Sequence, residues 1–183
     1  MEIKIKIATL KSITLFMATK DIRFYLKGAN FQAKDGIYRI TASGGHTLAM
    51  STWLEDPGPE FNITMPKETL DLVLKAYGKS EEVMLAKDGE TWTLANIPFF
   101  PIDGRYPDTR RVWPDEEAMD GKPCLLDPEY YARLGKVAKA QGLKNHDICQ
   151  WWSTDKFVFE IGSIRGIIMP LRGDVNNHSR PCY

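Results

Sequence analysis

One pattern recurs three times along the 183-residue chain: a strand, then a helix, then further strands. In the first copy, charged and apolar side chains alternate over residues 2–7, which is the period of a half-buried strand. Apolar residues then recur at helical spacing through 8–19. Turn signals separate three further predicted strands at 23–33, 37–41 and 47–53.

The second and third copies show the same order, with proline at the helix starts and glycine at the helix ends. A strand at 61–65 precedes Pro66, which suits a first helical turn, and that helix is expected to stop at Gly78. In the third copy, a short strand at 124–126 leads into a helix at 129–141. An internal repeat of this kind predicts an α+β fold built from like units.

The repeats divide the chain into two bodies. Residues 1–57 and 58–114 make a domain of two repeats, and 124–172 make a half domain with one repeat. A polar connector at 115–123 joins them. The remaining residues, 173–183, are polar and are predicted to be disordered.

Charge and cysteine content limit the classes of function. The chain has 24 basic and 24 acidic residues, so its net charge is zero, which argues against coating nucleic acid by bulk attraction. Its three cysteines are odd in number and widely spaced, and they fit neither a disulfide framework nor a metal site. Lys4, Lys6 and Lys11 interrupt the first apolar run, so neither a secretion signal nor a membrane span is expected there. A cytoplasmic protein without metal or cofactor is predicted.

Catalysis finds little support in the sequence. His46 can be paired with Asp103 or Asp108 as acid and base, and a small hydrolase using His46 and Asp108 is one alternative. However, no serine or cysteine lies in a recognisable nucleophile turn. A lone histidine after two glycines is more often a binding or structural residue, so no catalytic residue is predicted.

The stretch 102–114 has an unusual composition for a connecting segment. It is too rich in glycine and proline for a helix or a central strand. Tyr106, Val112 and Trp113 nevertheless give it too much apolar surface for a free linker. We therefore expect it to pack on both segments that it joins and to line the groove between them.

Three other motifs accompany this stretch. Residues 21–28 hold an arginine, an aromatic pair, a leucine and a glycine, and residues 41–50 contain Gly-Gly-His followed by Thr-Leu-Ala. Residues 167–172 end in methionine, proline, leucine and arginine. Taken in chain order together with 102–114, these motifs resemble the middle domain and about half of the last domain of bacterial DNA polymerase III beta-subunit sliding clamps. The resemblance implies the DNA-clamp fold, with helices on the inner face of a ring and sheets outside.

The resemblance also implies a hydrophobic pocket for short peptides of polymerases and of other replication and repair proteins. Carried over position by position, its expected residues are Leu26, Ser43, Gly45, His46, Leu48, Pro107, Arg111, Val112, Ile167 and Met169. Flexible methionine, branched aliphatic side chains and a rigid proline suit leucine- or phenylalanine-bearing peptides. Ordinary core packing is the alternative interpretation of the same apolar residues.

Contacts with duplex DNA are expected to be independent of base sequence. The third predicted helix carries a basic stripe opposite its apolar stripe, although a solvated surface would have the same pattern. Arg23, Phe24 and Tyr25 are similar to the DNA-contacting edge of the clamps. The full expected set is Arg23, Phe24, Tyr25, Lys67, Lys75, Arg133, Lys136 and Lys139.

These expectations together describe a miniature sliding clamp, a processivity factor that encircles DNA and tethers its partners. Rings of the family contain twelve such repeats, so three per chain imply a homotetramer, with a clamp loader as a further partner and a nucleoid-associated location in the cytoplasm. The alternative is a clamp fragment that forms no ring and competes as a decoy for clamp-binding peptides.

Overall fold

The computed structural model describes residues 1–54, 58–113, 125–144, 147–153 and 156–172. Its elements follow the order expected from the repeats, except at the start of the third. The first repeat contains β1 (Glu2–Lys6), α1 (Ile7–Thr14), β2 (Gly28–Lys34), β3 (Ile37–Ser43) and β4 (Thr47–Leu54). The second contains β5 (Phe61–Pro66), α2 (Lys67–Tyr77), β6 (Glu82–Asp88), β7 (Thr91–Leu94) and β8 (Ile97–Phe99). The third contains α3 (Pro128–Ala140), β9 (Cys149–Ser153), β10 (Lys156–Ile161) and β11 (Ile164–Ile168).

Two antiparallel sheets are formed, and each contains a strand donated by another repeat. β1 of the first repeat pairs with β6 of the second, giving the strand order β1-β6-β7-β8. β5 of the second repeat pairs in return with β2 of the first. The larger sheet, β5-β2-β3-β4-β11-β10-β9, is continuous from the first repeat into the third because β4 pairs with β11. One sheet therefore crosses the expected boundary between the two bodies.

The three helices lie side by side, with α1 in contact with both α2 and α3. The main apolar core of the described residues lies between the helices and the sheets. In it the rings of Phe16 and Phe159 stack at 5.5 Å and tie the first repeat to the third. The guanidinium Nη1 of Arg133 on α3 donates to the carbonyl of Leu15 at 2.9 Å, which fixes α3 against the end of α1. Each fully buried large side chain contributes about 1.5–3 kcal/mol to this packing.

The structure differs from the predicted strand at 23–33. Its first part, Phe24–Lys27, is a 3-10 helix, and the strand begins only at Gly28. The backbone N–H of Leu26 donates to the carbonyl of Arg23 at 2.9 Å, and the carbonyl of Leu26 accepts from Ala18 at 3.1 Å. These bonds turn the chain so that the Leu26 side chain is buried, which an extended backbone would not do.

The first helix is also shorter than expected. α1 ends at Thr14 because the last turn closes with short-range bonds, such as Phe16 N–H to the Ile13 carbonyl at 3.0 Å. Strands β7 and β8 are separated by Ala95 and Asn96, which have positive φ values of 51° and 62°. Such a pair forms the two-residue turn of a hairpin.

The predicted strand at 124–126 is absent from its described part, Leu125 and Leu126. The physical reason lies in the exchange of first strands: each pairs with the sheet of a different repeat, and the described chain offers none to the third. Residue 124, the connector 115–123 and the tail 173–183 lie outside the described residues.

Gly166 tests the packing where β11 meets β4. A Cβ on Gly166 would lie 2.2 Å from the ring of Phe159 and 2.5 Å from the carbonyl oxygen of Leu48. We expect Gly166→Ala to lower the free energy of unfolding by about 1–3 kcal/mol, measured by urea denaturation. Gly135→Ala is the control, because a Cβ there meets nothing within 4 Å, and it should raise stability by about 0.5–1 kcal/mol. Equal effects of the two substitutions would contradict this packing.

Candidate functional site

An apolar cluster lies on the outer face of the larger sheet, where the first and third repeats join. It consists of Leu48 on β4, Ile167 on β11 and Val158 on β10, which are neighbours across the strands. The residues that follow Leu48 and Ile167 belong to the main core under the helices. Because side chains alternate along a strand, the cluster faces away from the helices.

The end of the 102–114 stretch packs on this cluster. Trp113 and Met50 pack against the cluster, and the guanidinium of Arg165 lies 5.3 Å from the centre of the Trp113 ring. We call Leu48, Val158 and Ile167, with Met50 and Trp113, the junction surface. It matches the expectation that the stretch packs on both segments. Val158 was not predicted, since only strand pairing brings it near Leu48. Met50 was also not predicted, although it lies two residues after Leu48 on β4, where the period of a strand could have indicated it.

A second apolar cluster lies at the start of the same stretch. Leu26, Ala18 and Tyr106 are buried together, with Tyr25 packed against them. The Tyr106 hydroxyl makes no hydrogen bond of good geometry within the described chain, although the Ser43 backbone lies close enough to influence it. Burial raises the pKa of Tyr106, and the nearby Ser43 backbone opposes part of that rise.

Arg23 lies against the turn between β3 and β4, in the same region. Gly45 has a φ of +87°, and a Cβ there would lie only 2.7 Å from Nη2 of Arg23. Arg23 Nε and Nη2 donate to the two carboxylate oxygens of Asp21 at 2.9 and 2.7 Å. This guanidinium and the Arg23 backbone N–H hold the pKa of Asp21 below its usual range. The glycine is therefore needed both for the backbone shape and for the approach of Arg23.

The predicted pocket residues reach this region by three routes. Ser43, Gly45, His46 and Leu48 follow one another through the turn into β4. Ile167 and Met169 join them through β11, where Ile167 faces Leu48 and the Met169 N–H donates to the His46 carbonyl at 2.8 Å. The connecting stretch holds the exposed residues Pro107, Arg111 and Val112, and Leu26 lies in the second cluster.

The predicted DNA contacts occupy different surroundings. Lys67 is paired with Asp71 on α2, whereas Lys75, Lys136 and Lys139 are exposed on the helices. Arg133 is half-buried because it bonds to Leu15 and lies 4.7 Å from the Tyr130 ring, so it faces α1 instead of the side that carries Lys139.

Of the remaining DNA-contact candidates, Arg23 lies beside the Gly45 turn, whereas Phe24 and Tyr25 lie beside Gly104. Arg23 is paired with Asp21, and Phe24 is 54% exposed. The rings of Phe24 and Tyr25 meet edge to face at 5.7 Å.

A separate groove has a polar lining. It has a volume of about 340 Å³ and lies between strands β2 and β3 and the connecting stretch, with Asn30, Arg39 and Arg105 among its lining residues. The buried Nε of Arg39 has no hydrogen-bond partner in the described chain. The groove lacks the apolar lining of the junction surface, so the two are separate features.

Other kinds of site find no support in the described residues. They contain no group of three or more histidine, cysteine, aspartate or glutamate side chains able to hold a metal ion. Among the helices in the described ranges, none has the length and apolar character needed to cross a bilayer.

Exchanged first strands, a row of helices and one sheet running across the junction of two repeats define the DNA-clamp fold. The crystal structure of the Bacillus subtilis sliding clamp matches with a TM-score of 0.73 at 17% identity, covering 95% of this chain and 65% of that one. The Helicobacter pylori beta clamp bound to a DNA ligase peptide also gives 0.73, at 13% identity over 94% of this chain and 66% of its own.

The sequence comparison agrees with the fold. The beta sliding clamp of Staphylococcus epidermidis is 28% identical over 184 aligned residues, which cover 95% of this chain and 48% of that protein. No protein-family model matches the chain. By sequence and by structure, this chain is a homologue of the bacterial beta sliding clamps. It spans about half the length of that relative.

Tyr106 gives a test of the second cluster. Its folded-state pKa is raised above the ordinary value of 10.0, so the unfolded chain loses this proton first as the pH rises. The stabilising contribution of the neutral hydroxyl is thus present below pH 10 and is lost above it. We expect the stability of Tyr106→Phe to fall less than that of the parent between pH 9 and about pH 11, as measured by urea denaturation. Parallel pH profiles would show that the Tyr106 hydroxyl is not buried.

Proposed function

We propose that this chain is a miniature DNA sliding clamp. Several copies form a ring around duplex DNA, and each copy tethers polymerase or repair proteins by binding a short peptide from them. The observation that carries the proposal is the junction surface, a buried apolar cluster on the outer face of a clamp-fold sheet, with the exposed side chains of Met169 and Val112 beside it.

The chemistry of this region supports peptide binding. Met169 and Val112 are 37% and 41% exposed, so apolar side chains remain available beside the buried cluster. Exposed His46 and Arg111 can donate hydrogen bonds to a peptide backbone or carboxylate. The Helicobacter pylori clamp binds a DNA ligase peptide, which favours peptides of this class as partners.

The row of helices provides the surface proposed to face DNA. Exposed Lys75, Lys136 and Lys139 on α2 and α3 can meet phosphates, while the pairing of Lys67 with Asp71 keeps the local field modest. Loose phosphate contacts without base contacts suit a protein that slides.

Ring closure is the second part of the proposal. Three repeats per chain give twelve in four copies, so we propose a homotetramer, with a clamp loader as the partner that places it on DNA. The proposed assembly has the closed symmetry that most homo-oligomers adopt.

Peptide binding can be tested by fluorescence anisotropy with a labelled peptide that carries leucine and phenylalanine. We expect Met169→Ala to weaken binding roughly tenfold, because it truncates an exposed apolar contact worth about 1.4 kcal/mol. Leu54→Ala is the matched control, since Leu54 is 80% exposed at the far end of β4 and its truncation should leave the affinity unchanged.

An equal loss in both variants, or no binding by the parent protein, would contradict the peptide site. A parent chain ending at Arg172 should be compared in the same assay. Tighter binding by this shortened chain would identify residues 173–183 as a competitor for the site.

The ring can be tested by its mass and by its behaviour on DNA. Multi-angle light scattering should give four times the mass of one chain. The protein should remain on nicked circular DNA in high salt and slide off after linearisation, because topological retention needs no strong phosphate contact. A monomer that binds the peptide but is not retained on circular DNA would favour the decoy function instead.

A further inference from the structure

Strand exchange between repeats leaves one position open in the third repeat. β1 precedes α1 but pairs with β6, and β5 precedes α2 but pairs with β2. Each receiving repeat has three consecutive strands after its helix, β2–β4 in the first and β6–β8 in the second. In both cases the donated strand pairs with the first of these three, along its outer edge. The corresponding strand of the third repeat, β9, pairs with β10 on one side. Within the described part of the chain, no strand covers its other edge.

The open edge has apolar surface beside it. Trp151 on β9 is 39% exposed, and Tyr131 on α3 is 42% exposed. An edge strand also presents unpaired backbone donors and acceptors, which favour the addition of another strand. The edge of β9 is therefore suited to receive a strand.

The segment before α3 has the same position within its repeat as the donated strands have within theirs. The N–H of Leu171 donates to the carbonyl of Leu125 at 2.8 Å, and that of Ile102 donates to the carbonyl of Thr64 at 2.8 Å. Leu125 and Thr64 are each the third residue before the helix of their repeat, which starts at Pro128 in α3 and at Lys67 in α2. Leu171 and Ile102 are each the third residue after the last strand.

Thr64 is a strand residue with a partner strand, whereas Leu125 has none among the described residues. In β5, Thr64 faces Asn30 of β2 on the side away from Ile102. Leu125 makes the same outer bond to Leu171, yet it pairs with no strand on its remaining side. Leu126 packs on the main core, as Met65 does one residue after Thr64. The segment has the position of a donated strand without a recipient.

We propose that a second copy of this chain is the recipient. Residues 125–127 of each copy add to the β9 edge of the other, so that two third repeats complete one domain by reciprocal exchange. This inference rests on the proposed ring and specifies one of its contacts between chains. The exchange is two-fold symmetric, as the exchange between the first two repeats is.

The register follows from the two complete pairings. In each pairing, the last residue before the helix of the donating repeat lies opposite one residue of the receiving strand. That residue is six positions before the last residue of the receiving strand. Pro66 faces Gly28 in β2, which ends at Lys34, and Lys6 faces Glu82 in β6, which ends at Asp88.

The same rule can be applied to β9, which ends at Ser153. It sets Asp127 opposite Asp147, Leu126 opposite Ile148 and Leu125 opposite Cys149 of the second copy. Asp147 and Ile148 precede β9 and pair with no strand in the described part of the chain, as expected for residues that only a donated strand would engage. The two aspartates meet at the end of the strand pair, where like charges oppose association weakly.

The helices are compatible with this assembly. α1 packs against α2 where the first two repeats exchange strands, so α3 should pack against α3 of the second copy. Arg133 faces α1, and at 100° per residue Tyr131 and Gly135 lie on the opposite flank of α3. A Cβ on Gly135 would meet nothing within 4 Å, so this flank has room for a second helix.

A disulfide between the two copies tests both the contact and its register. Leu125→Cys would face the native, exposed Cys149 of the other copy, in a background with Cys124→Ser and Cys182→Ser. Directly opposite residues in antiparallel strands lie about 4.5–5.5 Å apart at Cα, a separation that a disulfide spans. After mild oxidation, we expect most of the protein to shift from one-chain to two-chain mass on a non-reducing gel. The background without Leu125→Cys should stay at one-chain mass, and so should Glu129→Cys, which lies two residues beyond the segment.

The outcomes separate this inference from the proposed function. If the protein is folded and still binds the peptide but forms no two-chain species, the strand exchange is overturned and the peptide site is unaffected. Equal cross-linking by Glu129→Cys would also overturn it, because the register would then play no part. A two-chain species whose light-scattering mass stays at two chains would support the exchange and contradict the tetrameric ring.

Discussion

Pairing of β4 with β11 is the interaction on which the rest of this structure depends. It sets Leu48 opposite Ile167 and Ala49 opposite Gly166, so one sheet runs from the first repeat into the third. Each ladder hydrogen bond adds only about 0.5–1.5 kcal/mol, but the pairing also buries side chains on both faces of the sheet. One face closes the core beneath α1 and α3, and the other creates the junction surface.

Glycine makes this close junction possible. The ring of Phe159 and the carbonyl of Leu48 occupy the space that a side chain at Gly166 would need. Gly45 has a related role, because it adopts a positive φ and leaves room for the guanidinium of Arg23. The missing side chain at Gly166 and the positive φ of Gly45 therefore allow the last strand and the turn to take these positions.

Exchange of first strands explains why the third repeat differs from the others. β1 and β5 each complete the sheet of another repeat, so no repeat in this fold is self-sufficient. Leu125 and Leu126 have the right position before a helix but no described strand to join. The same rule that stabilises the first two repeats leaves the outer edge of β9 without a described strand beside it.

The sequence alone determined the repeat, the apolar stripes of the helices and the set of motifs around the site, because side-chain periodicity records which face is buried. Only the tertiary structure decided that Phe24–Lys27 turns into a 3-10 helix, that Arg133 bonds to Leu15, and that Val158 joins Leu48. It also decided which strand each first strand joins. These outcomes depend on partners far away in the chain, and local periodicity encodes burial without encoding the identity of the partner.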